Sequence, residues 1–434
     1  MKVIGNIVYV VLIVLCLSSF SYAAGAEQID KGDTAWILTS SALVLLMTPA
    51  LAMFYGGMVR RKNVLATIMH SLVAIGVVSV QWVIVGYSLS FGPDFGGIIG
   101  SLSWIGLRGV GMEPSPDYAV TVPHIAFMIY QAMFAVITPA LISGAVAERM
   151  KFSVFLIFIL LWTTLVYDPV AHWVWGKGGW LGRLGVLDFA GGLVVHVSSG
   201  FSALAAALYL GRRKGFPHEP MPPHNLPLTV LGAGMLWFGW FGFNGGSALS
   251  SGALSAMAFV TTHLAAVSAM LIWMIIEWRQ HGKPTLFGAA TASIAGLATI
   301  TPAAGFVGPM SALLIGLAAG FVCYKALNLK PHIGYDDSLD AFGVHGVGGV
   351  IGTIGAGFFA SLLINPNGAN GLFYGNALQL LKQIAGVIVI MVYSFIFTWI
   401  ILKAISAFTE VRVSEEHEMQ GLDLNQHGES GYDM

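Results

Sequence analysis

Two stretches decide how this chain folds: Asp188-Phe-Ala-Gly-Gly-Leu-Val-Val-His196 and Asp337-Ser-Leu-Asp-Ala-Phe-Gly-Val-His345. Each leads into a strongly apolar run, and in each the aspartate precedes the histidine by the same spacing, with Val-His at the close. A titratable ring placed in hydrocarbon is costly, so it marks a pathway or a site more often than filler. Its appearance twice, in matching surroundings, predicts one site assembled from two related halves.

Composition sets the surroundings of those histidines. The 434 residues are 56% hydrophobic and only 9% charged, whereas a soluble domain carries about a quarter charged residues. So little charge cannot cover a water-facing surface, and lipid must face most of the chain. The formal net charge of -1 argues against nucleic acid as a partner. The two cysteines, Cys16 and Cys323, imply neither a disulfide nor a cysteine-rich metal site.

Residues 1–26 read as a cleaved signal peptide, with one lysine, an apolar stretch from Val8 to Leu17 and small residues near Ala23 and Ala26. An uncleaved first helix is the alternative. Beyond it lie eleven apolar runs near the roughly twenty residues that cross a bilayer: Trp36–Met58, Val64–Phe91, Pro123–Ala147, Phe152–Val174, Phe189–Leu210, Leu226–Phe243, Ala253–Ile276, Phe287–Pro302, Val307–Leu327, Leu339–Leu363 and Leu378–Phe408. Barrel-type alternation is absent, so the expected fold class is an all-α membrane protein of eleven transmembrane helices. Every second loop is basic: Arg60-Arg61-Lys62, Arg149 with Lys151, Arg212-Arg213-Lys214, Arg279 with Lys283, and Lys325 with Lys330. Positive charge stays inside, which predicts an outer mature N-terminus and a cytoplasmic C-terminus.

With that orientation the fifth and tenth runs point in opposite directions. The expected layout is two inverted five-helix repeats, about 34–214 and 226–363, plus a last helix at about 378–408. If the helices start at Asp188 and Asp337, eight residues raise each histidine about 12 Å toward the middle of a core about 30 Å thick. Inverted repeats of this kind hold the site of many transport proteins at their interface. The two aspartates read equally as helix N-caps or as functional groups. The paired histidines leave four readings open: a proton-handling or hydrogen-bonding pair in a narrow pore, a metal site, for which two histidines without nearby cysteine or carboxylate ligands fall short of the usual four-coordinate set, axial ligands of a haem, or two satisfied core histidines. His124, His172 and His263 fall near span ends or lack a paired context.

Aromatic residues surround the pair: Tyr130-Gln-Ala-Met-Phe134 in the third run, His172-Trp-Val-Trp175 at the end of the fourth, and Trp237-Phe-Gly-Trp240-Phe-Gly-Phe243-Asn244-Gly-Gly-Ser247 in the sixth. By composition, Trp173 and Trp180 read as interface anchors, and Phe134 and Phe243 as core filler. The turn at Ser247 is less ordinary. A ring face beside a hydroxyl attracts a small cation through cation–π contact and a hydrogen bond, without a carboxylate.

The chain resembles bacterial members of the ammonium transporter/methylammonium permease/Rhesus family. The resemblance rests on six stretches in order: Phe54-Tyr-Gly-Gly-Met58, Gly144-Ala-Val-Ala-Glu148-Arg149, Asp188-Phe-Ala-Gly-Gly192, Met221-Pro-Pro-His-Asn-Leu-Pro227, Gly239-Trp-Phe-Gly-Phe-Asn244 and Asp340-Ala-Phe-Gly-Val-His-Gly346. It implies an ammonium transporter of the cell inner (plasma) membrane rather than an enzyme. No cofactor and no metal are implied; ammonium, ammonia and methylammonium would be carried by a homotrimer with one pore per subunit. Trp175, Ser247 and Phe134 would recruit ammonium, Phe134 and Phe243 would close the pore beneath, and His196 and His345 would line it. Tyr130, Trp240, Asp188, Asp337 and Asp340 would support these elements. Tyr130 stands where some members have Phe. Ammonium would lose a proton on entry, since moving a bare ion through an apolar constriction is costly, and ammonia would then cross with or without that proton. Potassium, with no proton to lose, would be refused.

Residues 411–434 are polar and acidic, and composition alone predicts disorder there. Gly421-Leu-Asp423 and His427-Gly-Glu429 nonetheless resemble the ordered cytoplasmic tail of bacterial members, which implies a P-II-type signalling protein as partner. Rival readings are an ammonium sensor of the same fold, a haem-binding redox protein, and a channel for another neutral gas.

Overall fold

The computed structural model describes residues 29–432. The expected signal peptide and Cys16 lie outside the described residues. Among the described residues the regular structure is helical apart from two small antiparallel hairpins, Asp94–Phe95 with Ile99–Gly100 and Pro114–Ser115 with Ala119–Pro123. Among the described residues ten helices are long and apolar enough to cross a membrane: α1 Lys31–Met58, α2 Arg61–Phe91, α3 His124–Val146, α4 Phe152–Leu184, α5 Gly192–Leu210, α6 Leu226–Gly246, α7 Ala253–His281, α9 Pro309–Ile333, α10 Phe342–Phe359 and α11 Ala377–Ser406. The eighth apolar run forms a shorter helix, α8 Leu286–Ile300, of 15 residues. At 1.5 Å per residue it spans about 22 Å, less than a hydrocarbon core of about 30 Å. Of the eleven expected spans, ten are matched by helices of membrane length among the described residues; the remaining one is the shorter α8, continued by a buried turn from Thr301 to Val307. A short helix α12, Glu415–Gln420, follows in the tail.

Glycines let the helices that carry the two histidines touch. A Cβ on Gly200 of α5 would overlap the Gly346 backbone of α10, and Gly349 of α10 abuts the carbonyl of Gly192. Gly192 meets Gly349 and Gly200 meets Gly346, so α5 and α10 cross in opposite directions. Small residues at such crossings replace the hydrophobic drive that lipid removes. α1 lies along α6 in the same way, with Gly232 seated on the backbone of Phe54.

Neither histidine helix begins at its aspartate. Gly191 adopts a left-handed conformation at φ 114°, and α5 starts only at Gly192. Asp340 is likewise left-handed at φ 64°, just ahead of α10. The 12 Å rise expected from eight helical residues is therefore not realised, because turns occupy the first part of each stretch. Both helices open with a π-turn, Gly192–Val197 and Phe342–Gly346, that contains the histidine. Such wide turns recur at functional positions because they re-aim a side chain and free backbone groups.

The tail is packed rather than loose, against the expectation from its composition. Val413 N–H donates to Arg149 O at 3.0 Å, Leu422 N–H to Asn63 Oδ1 at 2.8 Å, and Lys214 N–H to Glu418 Oε1 at 2.8 Å. The Asp423 carboxylate accepts the Ala66 N–H at 2.9 Å. It thus caps the start of α2 from a distant part of the sequence, where unpaired N–H groups and the helix dipole favour a negative charge.

Candidate functional site

α3, α4, α5, α6 and α10 bring the aromatic and imidazole rings into a single column. At its top, Phe134 stands perpendicular to Trp175 with ring centres 5.9 Å apart. Phe134 lies on Phe243 at 4.2 Å and 33°. Below them the His196 ring is 6.2 Å from Phe243 and stacks on Trp240 at 5.6 Å and 21°. The His345 ring follows at 5.2 Å, nearly parallel to His196 at 12°, with the two Nδ1 atoms 3.2 Å apart.

That last contact constrains the protons. Two imidazoles meeting Nδ1 to Nδ1 share one hydrogen, so one ring donates there while the other presents a lone pair. A second proton between them would set two N–H groups against each other. Both rings are buried, and His196 Nε2 has no hydrogen-bond partner. Beside the pair is a small cavity walled by Met47, Leu51, Ile137, Leu141, Val195, Leu236, Trp240, Phe243 and Ile294 as well as both histidines. It has room for roughly one water-sized molecule. A porphyrin does not fit, which removes the haem reading on geometry.

The upper wall is held by hydrogen bonds that sequence reading placed only in part. The Tyr130 hydroxyl lies 2.8 Å from Phe243 O, 3.0 Å from Gly242 O and 3.2 Å from Ser247 Oγ. Ser247, at the end of α6, donates to Phe243 O at 2.8 Å and is half-buried at the mouth of the column. The Trp175 indole N–H donates to Asp188 O at 2.9 Å. Trp173, expected at an interface, is instead buried and donates to Ile98 O at 2.6 Å.

Asp188 does not line the column. Its Oδ1 accepts the Gly191 and Gly192 N–H groups at 2.8 and 2.6 Å, and its Oδ2 those of Leu193 and Val194 at 2.8 and 3.1 Å. Four free donors at a helix start are satisfied by one carboxylate, so the N-cap reading describes its contacts. Asp337 is the weaker counterpart: its Oδ2 accepts the Phe342 N–H at 2.7 Å, while Oδ1 has no partner. Asp340 pairs with Lys330 at 2.5 Å and lines a second cavity of about 250 Å³ at the tail end, which also borders Arg213, Glu219 and Ser338. His124 and His172 stand apart from the column, bonded to the Tyr87 hydroxyl at 2.6 Å and to Ser90 O and Asp94 at 3.0 Å.

Three features went unread in the sequence. Thr301 Oγ1 accepts the Trp240 indole N–H at 2.9 Å and so fixes the ring on which His196 stacks. Gln379 and Gln383 face inward from α11, fully buried; two amides four residues apart in an apolar helix were the available signal. At the tail end, Glu148 receives Arg213 and Arg60, and Arg213 also grips Asp336. Burial pushes the Glu148 carboxyl up, but Arg213 and Arg60 outweigh it and hold the group at about 2. Asp336 is likewise held below its ordinary value, burial being outweighed by hydrogen bonds and charge from Arg213.

The family model described as Ammonium Transporter Family matches residues 35–432. An ammonium transporter of Bacillus subtilis (strain 168) is 52% identical over 404 residues, covering 93% of this chain and 99% of that protein. The crystal structure of Candida albicans Mep2 superposes with a TM-score of 0.86 at 39% identity, over 94% of this chain and 91% of that one. A structure titled Sensor Amt Protein gives 0.84 at 31% identity, over 91% and 98%.

Proposed function

The chain belongs to the ammonium transporter family, and from that premise we propose that it carries ammonium across a membrane through the ring column. Its relatives are transporters rather than enzymes. Trp175, Ser247 and Phe134 recruit the cation at the outer mouth, where ring faces and a hydroxyl replace part of its water. Phe134 and Phe243 close the path beneath. His196 and His345 carry ammonia past the narrowest point, one imidazole offering a donor and the other an acceptor. Tyr130 and Trp240 hold the walls; Asp188, Asp337 and Asp340 support the histidine helices. Methylammonium travels the same route.

The observation that carries this reading is the Nδ1-to-Nδ1 histidine pair beside a small, mainly apolar cavity. A bare cation there is uncompensated, and losing a proton at the mouth removes most of that cost. Potassium has none to lose. The antiparallel crossing of α5 and α10 supports an inverted-repeat layout, and the basic loops support an outer N-terminus and a cytoplasmic tail in the cell inner (plasma) membrane. A homotrimer and a P-II-type partner at the tail remain part of the same proposal. A sensor shares the fold, so fold alone does not separate the two; the higher identity to a transporter favours transport.

The test is uptake of labelled methylammonium into proteoliposomes, with ammonium as competitor and potassium flux measured in parallel. His345→Ala and His196→Ala are expected to admit potassium or lose ammonium discrimination. Full selectivity retained in His196→Ala would sink the account.

A further inference from the structure

The segment Gly185-Val-Leu-Asp188 has no regular structure of its own, yet it carries two consequential groups. The Asp188 carbonyl receives the Trp175 indole, and the Asp188 carboxylate caps the helix of His196. Something must fix that backbone. In a membrane-spanning protein an irregular strand is tolerated only where other groups satisfy its peptides.

Gln383 does so from α11. Its Oε1 accepts the Leu187 N–H at 2.7 Å, and its Nε2 donates to the Leu187 carbonyl at 2.7 Å. The side-chain amide thus pairs with both polar groups of the residue immediately before Asp188, as a neighbouring strand would. Only one orientation of the amide satisfies this pairing, since its oxygen must meet the N–H and its nitrogen the carbonyl. The second amide hydrogen points to Thr353 O of α10, 3.3 Å away. Gln379, one turn earlier, donates to Gly185 O at 2.9 Å and to Gln383 Oε1 at 3.1 Å. Gln379 and Gln383 are buried to 1% and 0% exposure.

We propose that Gln383 is a positioning residue for cation recruitment: its amide sets the Leu187–Asp188 backbone, and through the Asp188 carbonyl it sets Trp175 at the mouth of the column. Gln379 braces Gln383. The same amide touches α10, so α11 ties the recruitment wall to both histidine helices. The inference rests on the recruitment reading above.

The experiment measures the concentration dependence of methylammonium uptake in Gln383→Glu, Trp175→Leu and the double variant. Glu keeps an acceptor for the Leu187 N–H but sets a carboxylate oxygen against the Leu187 and Thr353 carbonyls. The expected result is a KM raised about tenfold, the scale of one or two unmade buried hydrogen bonds, with maximal uptake per assembled protein within about threefold. A residue that merely supports the fold would lower maximal uptake and leave KM in place. Acting through Trp175, Gln383→Glu is expected to add little to KM once Trp175 is already Leu; additive effects overturn the proposal. Should Gln383→Glu not assemble, Gln383→Met removes the same bonds without a buried charge, and an unmoved KM there overturns it equally. If Trp175→Leu alone leaves KM unchanged, the recruitment reading fails instead, whatever Gln383 does.

Discussion

At the residue scale, the walls of the column are held by buried polar atoms that find specific partners, among them Tyr130, Trp175 and Trp240. Thr301 shows how much hangs on a single hydroxyl. In Thr301→Val the Trp240 indole N–H loses its acceptor, and an unsatisfied buried donor costs about 1–3 kcal/mol. The expected outcome is a lower melting temperature together with slower methylammonium uptake, because the ring behind His196 is no longer held. Uptake and stability both equal to wild type would show that Trp240 is fixed by packing alone. Trp240 and both histidines were legible in the sequence because such groups are conspicuous in an apolar run. Thr301 was not, since a threonine in such a run usually bonds its own helix, and this one also does, to Leu297 O at 2.8 Å.

At the element scale, the start of α5 depends on one carboxylate. Asp188→Ala leaves four N–H groups without an acceptor. Losing a cap of this reach is expected to destabilise the protein by at least about 2 kcal/mol. Asp188→Asn retains one acceptor oxygen, enough for two of the four N–H groups, and should fall between. A thermal melt of the three proteins in detergent gives the order; a tie between Ala and wild type would contradict the capping role. The start of α2 makes the same point with a partner far away in sequence. Asp423→Ala removes the tail carboxylate from the Ala66 N–H, and the tail is expected to become sensitive to limited proteolysis from its C-terminal end. The aspartate spacing announced both histidine helices. It did not reveal that each begins late, after a left-handed residue, because a turn and a first helical turn contain the same residue types.

At the scale of the whole molecule, the tail end is closed by an ionic cluster joining the ends of α1, α3, α5 and the segment before α10. Glu148 is its centre, buried and bonded to Arg60, Arg213 and Asn63. Its carboxyl is held at about 2 against an ordinary 4.5. A group depressed on folding stabilises the protein fully above its unfolded value and loses that contribution as pH falls toward the folded one. Stability is therefore expected to hold from neutral pH to about 4.5 and then fall by about 3 kcal/mol toward pH 2. Melting temperatures across that range check it, and Glu148→Gln should flatten the slope while lowering the neutral-pH value. Composition cannot show such a cluster, since Arg60, Glu148, Arg213 and Asp336 are spread over most of the chain.

Sequence by itself determined the class, the approximate helices, the two histidines and the family. Each of these rests on local quantities: apolar length, the cost of an ionisable ring in hydrocarbon, and motifs a few residues long. Tertiary structure alone decided that α8 is shorter than its neighbours, that the tail is packed, and that Gln383 pairs with Leu187 and Thr301 with Trp240. Those outcomes follow from where buried donors and acceptors find partners. Such partners lie tens to hundreds of residues away, at distances that no reading along the chain contains.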